Sequence, residues 1–157
     1  MYKACIFDLD GTLTDTLESL TYSVNETLKE LKLKKITQEQ CRSFVGNGAR
    51  CLIERALVAG GDLEKSQMEP AMEIYGRIFG ENCTYHVTLY EGIPEMLKAL
   101  KDRGIHLAVL SNKPDRQTVK VVKEIFGDNI FTLTEFSLQV VFLLKLLTII
   151  SASCKAI

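Results

Sequence analysis

An excess of charge of either sign is missing from this 157-residue chain. Nineteen Lys and Arg face twenty Asp and Glu, a net charge of −1. There is no basic field to hold nucleic acid. Only two histidines occur, His86 and His106, and the five cysteines (Cys5, Cys41, Cys51, Cys83, Cys154) form no CxxC pair. That argues against both a disulfide framework and a Cys/His zinc site. Reduced, mostly buried thiols in a cytoplasmic protein are expected instead. The start, Met1 to Asp8, turns acidic too soon for a secretory signal. No apolar run reaches the ~20 residues of a membrane span. The longest, Leu138 to Ile150, is interrupted by Lys145.

Hydrophobic residues make up 46% and charged residues 25% of the chain, a balance that excludes disorder as the default state. The length suits one domain, or a small domain carrying an insertion. Lys3 to Leu9 reads as a buried strand running into an acidic, glycine-containing loop. Leu17, Leu20, Val24, Leu28 and Leu31 then mark one face of an amphipathic helix. Thr37 and Gln40 have the spacing of a capping box opening a second helix, which Gly46 and Gly48 end. A third helix is predicted from Ala49 to Ala59, Gly60-Gly61-Asp62 is a turn, and a longer helix follows to about Phe79.

Beyond Tyr85 the pattern changes. Gly92 opens a helix with Ile93, Met96, Leu97 and Leu100 on one face, closed by Gly104. Ile105 to Leu110 reads as a strand, and Asp115 is expected to cap a helix carrying Val119, Val122 and Ile125. After Gly127-Asp128-Asn129 a short strand is predicted near Ile130 and Phe131. A strand, a helical block, then helix–strand–helix–strand predicts an α/β core with an all-helical insertion after its first strand. The boundaries expected are 1–15 and 86–157 for the core, with 136–157 as an atypical apolar tail, and 16–85 for the helical part.

The chemistry gathers at Asp8-Leu9-Asp10-Gly11-Thr12-Leu13-Thr14-Asp15-Thr16. Two carboxylates two residues apart, just past a strand, point the same way along the pleat. At the carboxyl end of a parallel sheet they would sit where α/β ligand crevices form. Taken alone, the cluster is equally readable as a solvated turn around Gly11. Taken alone, Ser111-Asn112 reads more readily as a helix-entry turn before Asp115. Lys113 is either a phosphate contact or an exposed loop lysine.

Together these residues resemble the haloacid dehalogenase superfamily of phosphohydrolases, most closely its phosphoglycolate phosphatase branch. The family's first motif, hydrophobic residues followed by DxDGT, is matched by Ile6-Phe7-Asp8-Leu9-Asp10-Gly11-Thr12. The second, a strand ending in Ser or Thr, is matched by Leu107-Ala108-Val109-Leu110-Ser111, followed by Asn112-Lys113-Pro114. Phe44-Val45-Gly46-Asn47-Gly48-Ala49 is similar to the cap signature of the branch, and Leu89-Tyr90-Glu91-Gly92-Ile93 to the segment that re-enters the core.

The resemblance implies a Rossmann-like core, truncated at its C-terminal end, with a helical cap inserted after strand 1. It implies Asp8 as nucleophile, forming an aspartyl-phosphate, and Asp10 as general acid and then base. It implies Mg²⁺ held by Asp8 and by the backbone carbonyl of Asp10. Leu9, Gly11, Thr12, Ser111, Asn112 and Lys113 would bind phosphate, and Asn47, Gly48 and Arg50 of the cap would face the substrate. The implied substrate is a small phosphorylated metabolite such as 2-phosphoglycolate, with no nucleic-acid or membrane partner. A pyrophosphatase or β-phosphoglucomutase-like activity stays open, as does a non-catalytic phosphate-binding or interaction relic.

The chain also departs from the family pattern. The lysine in an Arg-Lys-Pro-like context and the later Gly-Asp-x-x-x-Asp are not found, and no acidic residue follows Glu135. Gly127-Asp128 precedes a predicted strand rather than following one. Residues 136–157 hold two charges, Lys145 and Lys155, whereas the first 135 hold 37. The break predicts that residues after about 132–136 are an out-of-frame or degenerate end, with activity reduced or lost.

Overall fold

The computed structural model describes residues 3–132. The predicted tail at 136–157, and Cys154 within it, lie outside the described residues. The chain divides into two compact units, Met1–Thr14 with Leu89–Ile157, and Asp15–Thr88. Along the sequence run β1 (Ala4–Phe7), β2 (Thr14–Asp15), α1 (Leu17–Glu30), α2 (Gln38–Phe44), α3 (Gly48–Gly60), α4 (Met68–Asn82), β3 (Thr88–Leu89), α5 (Ile93–Asp102), β4 (His106–Val109) and α6 (Asp115–Phe126). This is a mixed α/β fold.

In the first unit β1 pairs parallel with β4 in the register Ala4↔His106 through Phe7↔Val109. Leu107, Ala108 and Val109 are all buried, as a strand covered on both faces requires. The ladder continues one step further, where the Leu110 N–H donates to the Phe7 carbonyl (2.8 Å). Leu9, Leu13, Leu97, Val121, Val122 and Phe131 complete this core. Gly92, at φ +79°, starts α5 with Pro94 in its first turn, where the missing N–H costs nothing.

Two expectations fail here. Pro114, not Asp115, is the N-cap of α6, and Asp115 is the first helical residue. Its acidic side chain suits the positive end of the helix there. No strand forms at Ile130–Phe131. Phe131 is instead buried edge-on against Phe126, with ring centroids 5.2 Å apart, and the next N–H, of Thr132, donates to the Leu107 carbonyl (2.8 Å).

The second unit is helical. The capping box forms as its spacing predicts: the Gln40 N–H donates to Thr37 Oγ1 (3.1 Å), and the Thr37 N–H to Gln40 Oε1 (2.8 Å). The Leu-rich face of α1 is only partly the buried one. Val24 and Leu28 are buried, but so are Ser19, Ser23 and Thr27. The hydroxyls of Ser23 and Thr27 donate to carbonyls four residues back, of Ser19 (2.9 Å) and Ser23 (2.8 Å), so their burial leaves no unmet polar group. Ser19 Oγ donates to the Asn82 carbonyl at the end of α4 (2.8 Å). Small residues let α1 and α4 lie close, and Tyr75, Ile78 and Phe79 of α4 fill the core with Leu52, Ile53 and Leu57 of α3.

The thiols follow the expectation in part. Cys41 and Cys83 are buried, while Cys5 and Cys51 are half-buried, and none of the four is in a disulfide. Burial pushes the Cys41 thiol up, against a weaker hydrogen bond with Thr21, so it is a poor nucleophile. No helix among the described residues is long and apolar enough to cross a membrane.

Candidate active site

The loop after β1 is built around one carbonyl. The C=O of Leu9 accepts from the N–H groups of Thr12 (3.3 Å), Leu13 (3.0 Å) and Thr14 (3.0 Å), and from Thr14 Oγ1 (3.1 Å). The side chains of Leu9 and Leu13 are wholly buried, so the loop is pinned to the core on either side of Asp10-Gly11-Thr12. The fold back needs a left-handed residue, and Gly11 supplies it at φ +78°. Its N–H donates to the Thr14 carbonyl (2.8 Å).

Asp8 and Asp10 stand on this loop. Asp8 is exposed and Asp10 half-buried. Partial burial raises the Asp8 carboxyl above the ordinary aspartate range; the Leu9 N–H, donating to Asp8 Oδ1 at 2.8 Å, opposes that, and the nearby Asp10 charge adds to the rise. Two carboxylates thus share one small region, an arrangement that favours an approaching cation.

The second segment arrives through the parallel pairing. With Phe7 opposite Val109, the chain leaves β1 at Asp8 and β4 at Leu110-Ser111 side by side. Ser111 is buried, and its Oγ accepts the Lys113 N–H (3.3 Å). Asn112 is exposed. Lys113 is not an exposed loop lysine. Its side chain is 1% exposed, and Nζ lies 3.0 Å from Asp10 Oδ1. The sequence reading aimed this ammonium at phosphate and missed its carboxylate partner; nothing in the local pattern joins two residues so far apart.

The expected N–H cradle differs as well. The N–H groups of Leu9, Gly11 and Thr12 all have partners inside the loop. Asn47, Gly48 and Arg50 belong to the other unit. Asn47 is the N-cap of α3, Gly48 has φ +82°, and the Arg50 guanidinium pairs with Glu69 Oε1 (2.9 Å).

Among the described residues no group of three or more His, Cys, Asp or Glu side chains could enclose a metal. The donors that Asp8 and Asp10 offer are hard oxygens and few. That set fits Mg²⁺, which keeps several waters and takes one or two carboxylates together with substrate phosphate.

Comparison with known proteins gives the family. The haloacid dehalogenase-like hydrolase family matches residues 5–140. The chain is 37% identical over 136 residues to the phosphoglycolate phosphatase of Haemophilus influenzae, covering 83% of this chain and 61% of that protein. It is 32% identical over 120 residues to that of Aquifex aeolicus, covering 76% and 54%. The crystal structure of a predicted phosphoglycolate phosphatase from Haemophilus somnus superposes with a TM-score of 0.76 at 31% identity, covering 83% of this chain and 60% of that one. A predicted phosphatase from Clostridium acetobutylicum gives 0.71 at 26%, covering 87% and 62%. The chain spans about three fifths of the length of these H. influenzae and H. somnus proteins. With its aspartate pair at the tip of β1 and its serine at the end of the adjoining strand, the chain belongs to the haloacid dehalogenase-like hydrolase family.

Proposed function

We propose that this chain carries the phosphoryl-transfer site of a phosphatase acting on a small phosphate monoester of the 2-phosphoglycolate kind, through an aspartyl-phosphate on Asp8. The observation that carries the reading is the division between the two carboxylates. Asp8 is exposed, and Asp10 is held by a buried lysine. An exposed carboxylate suits attack on phosphorus, and a fixed one suits proton transfer.

Asp8 attacks the phosphorus as the ester oxygen departs, and Asp10 gives that oxygen a proton. In the second half, water attacks the aspartyl-phosphate, Asp10 takes its proton, and Asp8 is released as carboxylate with inorganic phosphate. The Ser111 hydroxyl and the Asn112 side chain would hold phosphoryl oxygens. Such positioning carries most of phosphoryl-transfer catalysis. Asp8 and the Asp10 carbonyl would hold Mg²⁺, which when bound neutralises charge on the phosphoryl oxygens.

The test is hydrolysis of p-nitrophenyl phosphate with Mg²⁺. The reading expects turnover that Asp8→Asn abolishes and Asp10→Asn lowers by ~10²-fold or more. Turnover that survives Asp8→Asn contradicts it; phosphate binding without turnover supports the non-catalytic relic.

A further inference from the structure

Among the described residues Lys113 is the only lysine or arginine that is buried. A buried ammonium is costly unless paired, and the backbone of Lys113 is held on both sides. Its N–H donates to Ser111 Oγ (3.3 Å), its C=O accepts from Thr118 Oγ1 (3.2 Å), and Thr118 is itself wholly buried. The ammonium comes from the turn after β4, and the carboxylate it meets comes from the loop after β1. Those segments are tied together by the β1–β4 ladder immediately before them. The Asp10 loop is in turn closed by the bonds to the Leu9 carbonyl. Both partners therefore rest on rigid supports, and the contact is made through one carboxylate oxygen, Oδ1.

We propose that Lys113 is the positioning residue for Asp10. By holding Oδ1 from inside the fold, it fixes the carboxylate so that Oδ2 receives the proton of the water that cleaves the aspartyl-phosphate. In that step the water oxygen bonds to phosphorus, the bond from phosphorus to the Asp8 oxygen breaks, Asp8 leaves as carboxylate, and the proton passes to Asp10 Oδ2. The inference rests on the phosphatase reading above and differs from simple phosphate contact in what the lysine acts upon. A phosphate contact sets affinity for the anion. A positioning lysine sets the lifetime of the phosphoenzyme.

The experiment phosphorylates the full chain with p-nitrophenyl phosphate and Mg²⁺, whose leaving group departs without needing a proton, and follows phosphoenzyme decay by quenching and mass spectrometry. Inhibition by inorganic phosphate is measured alongside. In Lys113→Met the phosphoenzyme still forms, its lifetime lengthens ~10-fold or more, and the phosphate inhibition constant stays within about twofold. Lys113→Arg, which keeps the charge, recovers much of the decay rate. Lys113→Gln replaces the methionine variant if that one fails to fold, with the same expected lengthening. An unchanged lifetime overturns the proposal, as does weakened phosphate binding with normal decay. A wild-type chain that forms no phosphoenzyme overturns the phosphatase reading itself, before any change is made at Lys113.

Discussion

Asn25 holds Ile36 by both of its backbone groups. The Ile36 N–H donates to Asn25 Oδ1 (2.8 Å), and Asn25 Nδ2 donates to the Ile36 carbonyl (3.0 Å). One amide thereby replaces a strand partner for the segment that leads from α1 to the Thr37 cap. Ile36 is buried, so its polar groups have little access to water once the amide is gone. Asn25→Ala is expected to cost about 1–3 kcal/mol. Asn25→Asp, which keeps the acceptor and loses the donor, costs less. Urea denaturation of both variants checks the order.

Gly11 and Gly60 are predicted to resist alanine for opposite reasons. At Gly11 a Cβ meets nothing within 4 Å, but φ is +78°. The penalty is conformational, about 1 kcal/mol, and asparagine is tolerated better than alanine. At Gly60 the obstacle is space: a Cβ lies 3.1 Å from the Lys34 carbonyl oxygen, 3.2 Å from Leu33 Cβ and 3.3 Å from Leu28 Cδ2. Overpacking of that kind costs about 1–3 kcal/mol, and asparagine is worse than alanine. Thermal melts of the four variants separate the two causes.

How much of this was readable beforehand depended on range. The Thr37–Gln40 box and the glycine breaks at Gly46 and Gly48 are local, and they form where the spacing puts them. The apolar spacing of α1 does not point to Ser19, Ser23 and Thr27, whose hydroxyls become compatible with burial through carbonyls supplied by the helix itself and by Asn82. The pair Ile130-Phe131 announced burial correctly for Phe131, but burial does not specify a strand. At the site, the DxDGT motif puts Asp8 and Asp10 just past the first strand, and β1 ends at Phe7. The contact from Lys113 to Asp10 arises from parallel pairing of distant strands, which no local pattern encodes.

Asp62 predicts an acid-sensitive helix start. Its Oδ2 accepts the Gln67 N–H (2.9 Å) and its Oδ1 the Ser66 N–H and Oγ (both 3.0 Å), just ahead of α4. These bonds favour the ionised form and lower its pKa, led by the Gln67 N–H. A carboxylate lowered in the folded state stabilises fully above its unfolded value, about pH 3.9. It loses that contribution as the pH falls through the folded value. Asp62→Asn is therefore less stable than wild type at neutral pH, and the difference shrinks under acid. Melting temperatures from pH 7 down to pH 3 give the comparison.

Asp8 predicts the opposite sign. Its raised carboxyl value, caused first by partial burial, means that ionised Asp8 opposes folding above that value, and that the opposition fades as the pH drops toward the unfolded value. In chelator-containing buffer Asp8→Asn should melt higher than wild type at neutral pH, with the gap closing below about pH 4. Added Mg²⁺ should raise the wild-type melting temperature more than that of the variant.

The most direct measurement traps the acyl-phosphate with borohydride during turnover and locates the reduced residue by peptide mass spectrometry. A homoserine at position 8, absent when substrate is omitted, is the predicted result. Turnover that leaves this side chain unmodified, or reduction found at another carboxylate, would contradict a phosphoryl group carried at the tip of β1.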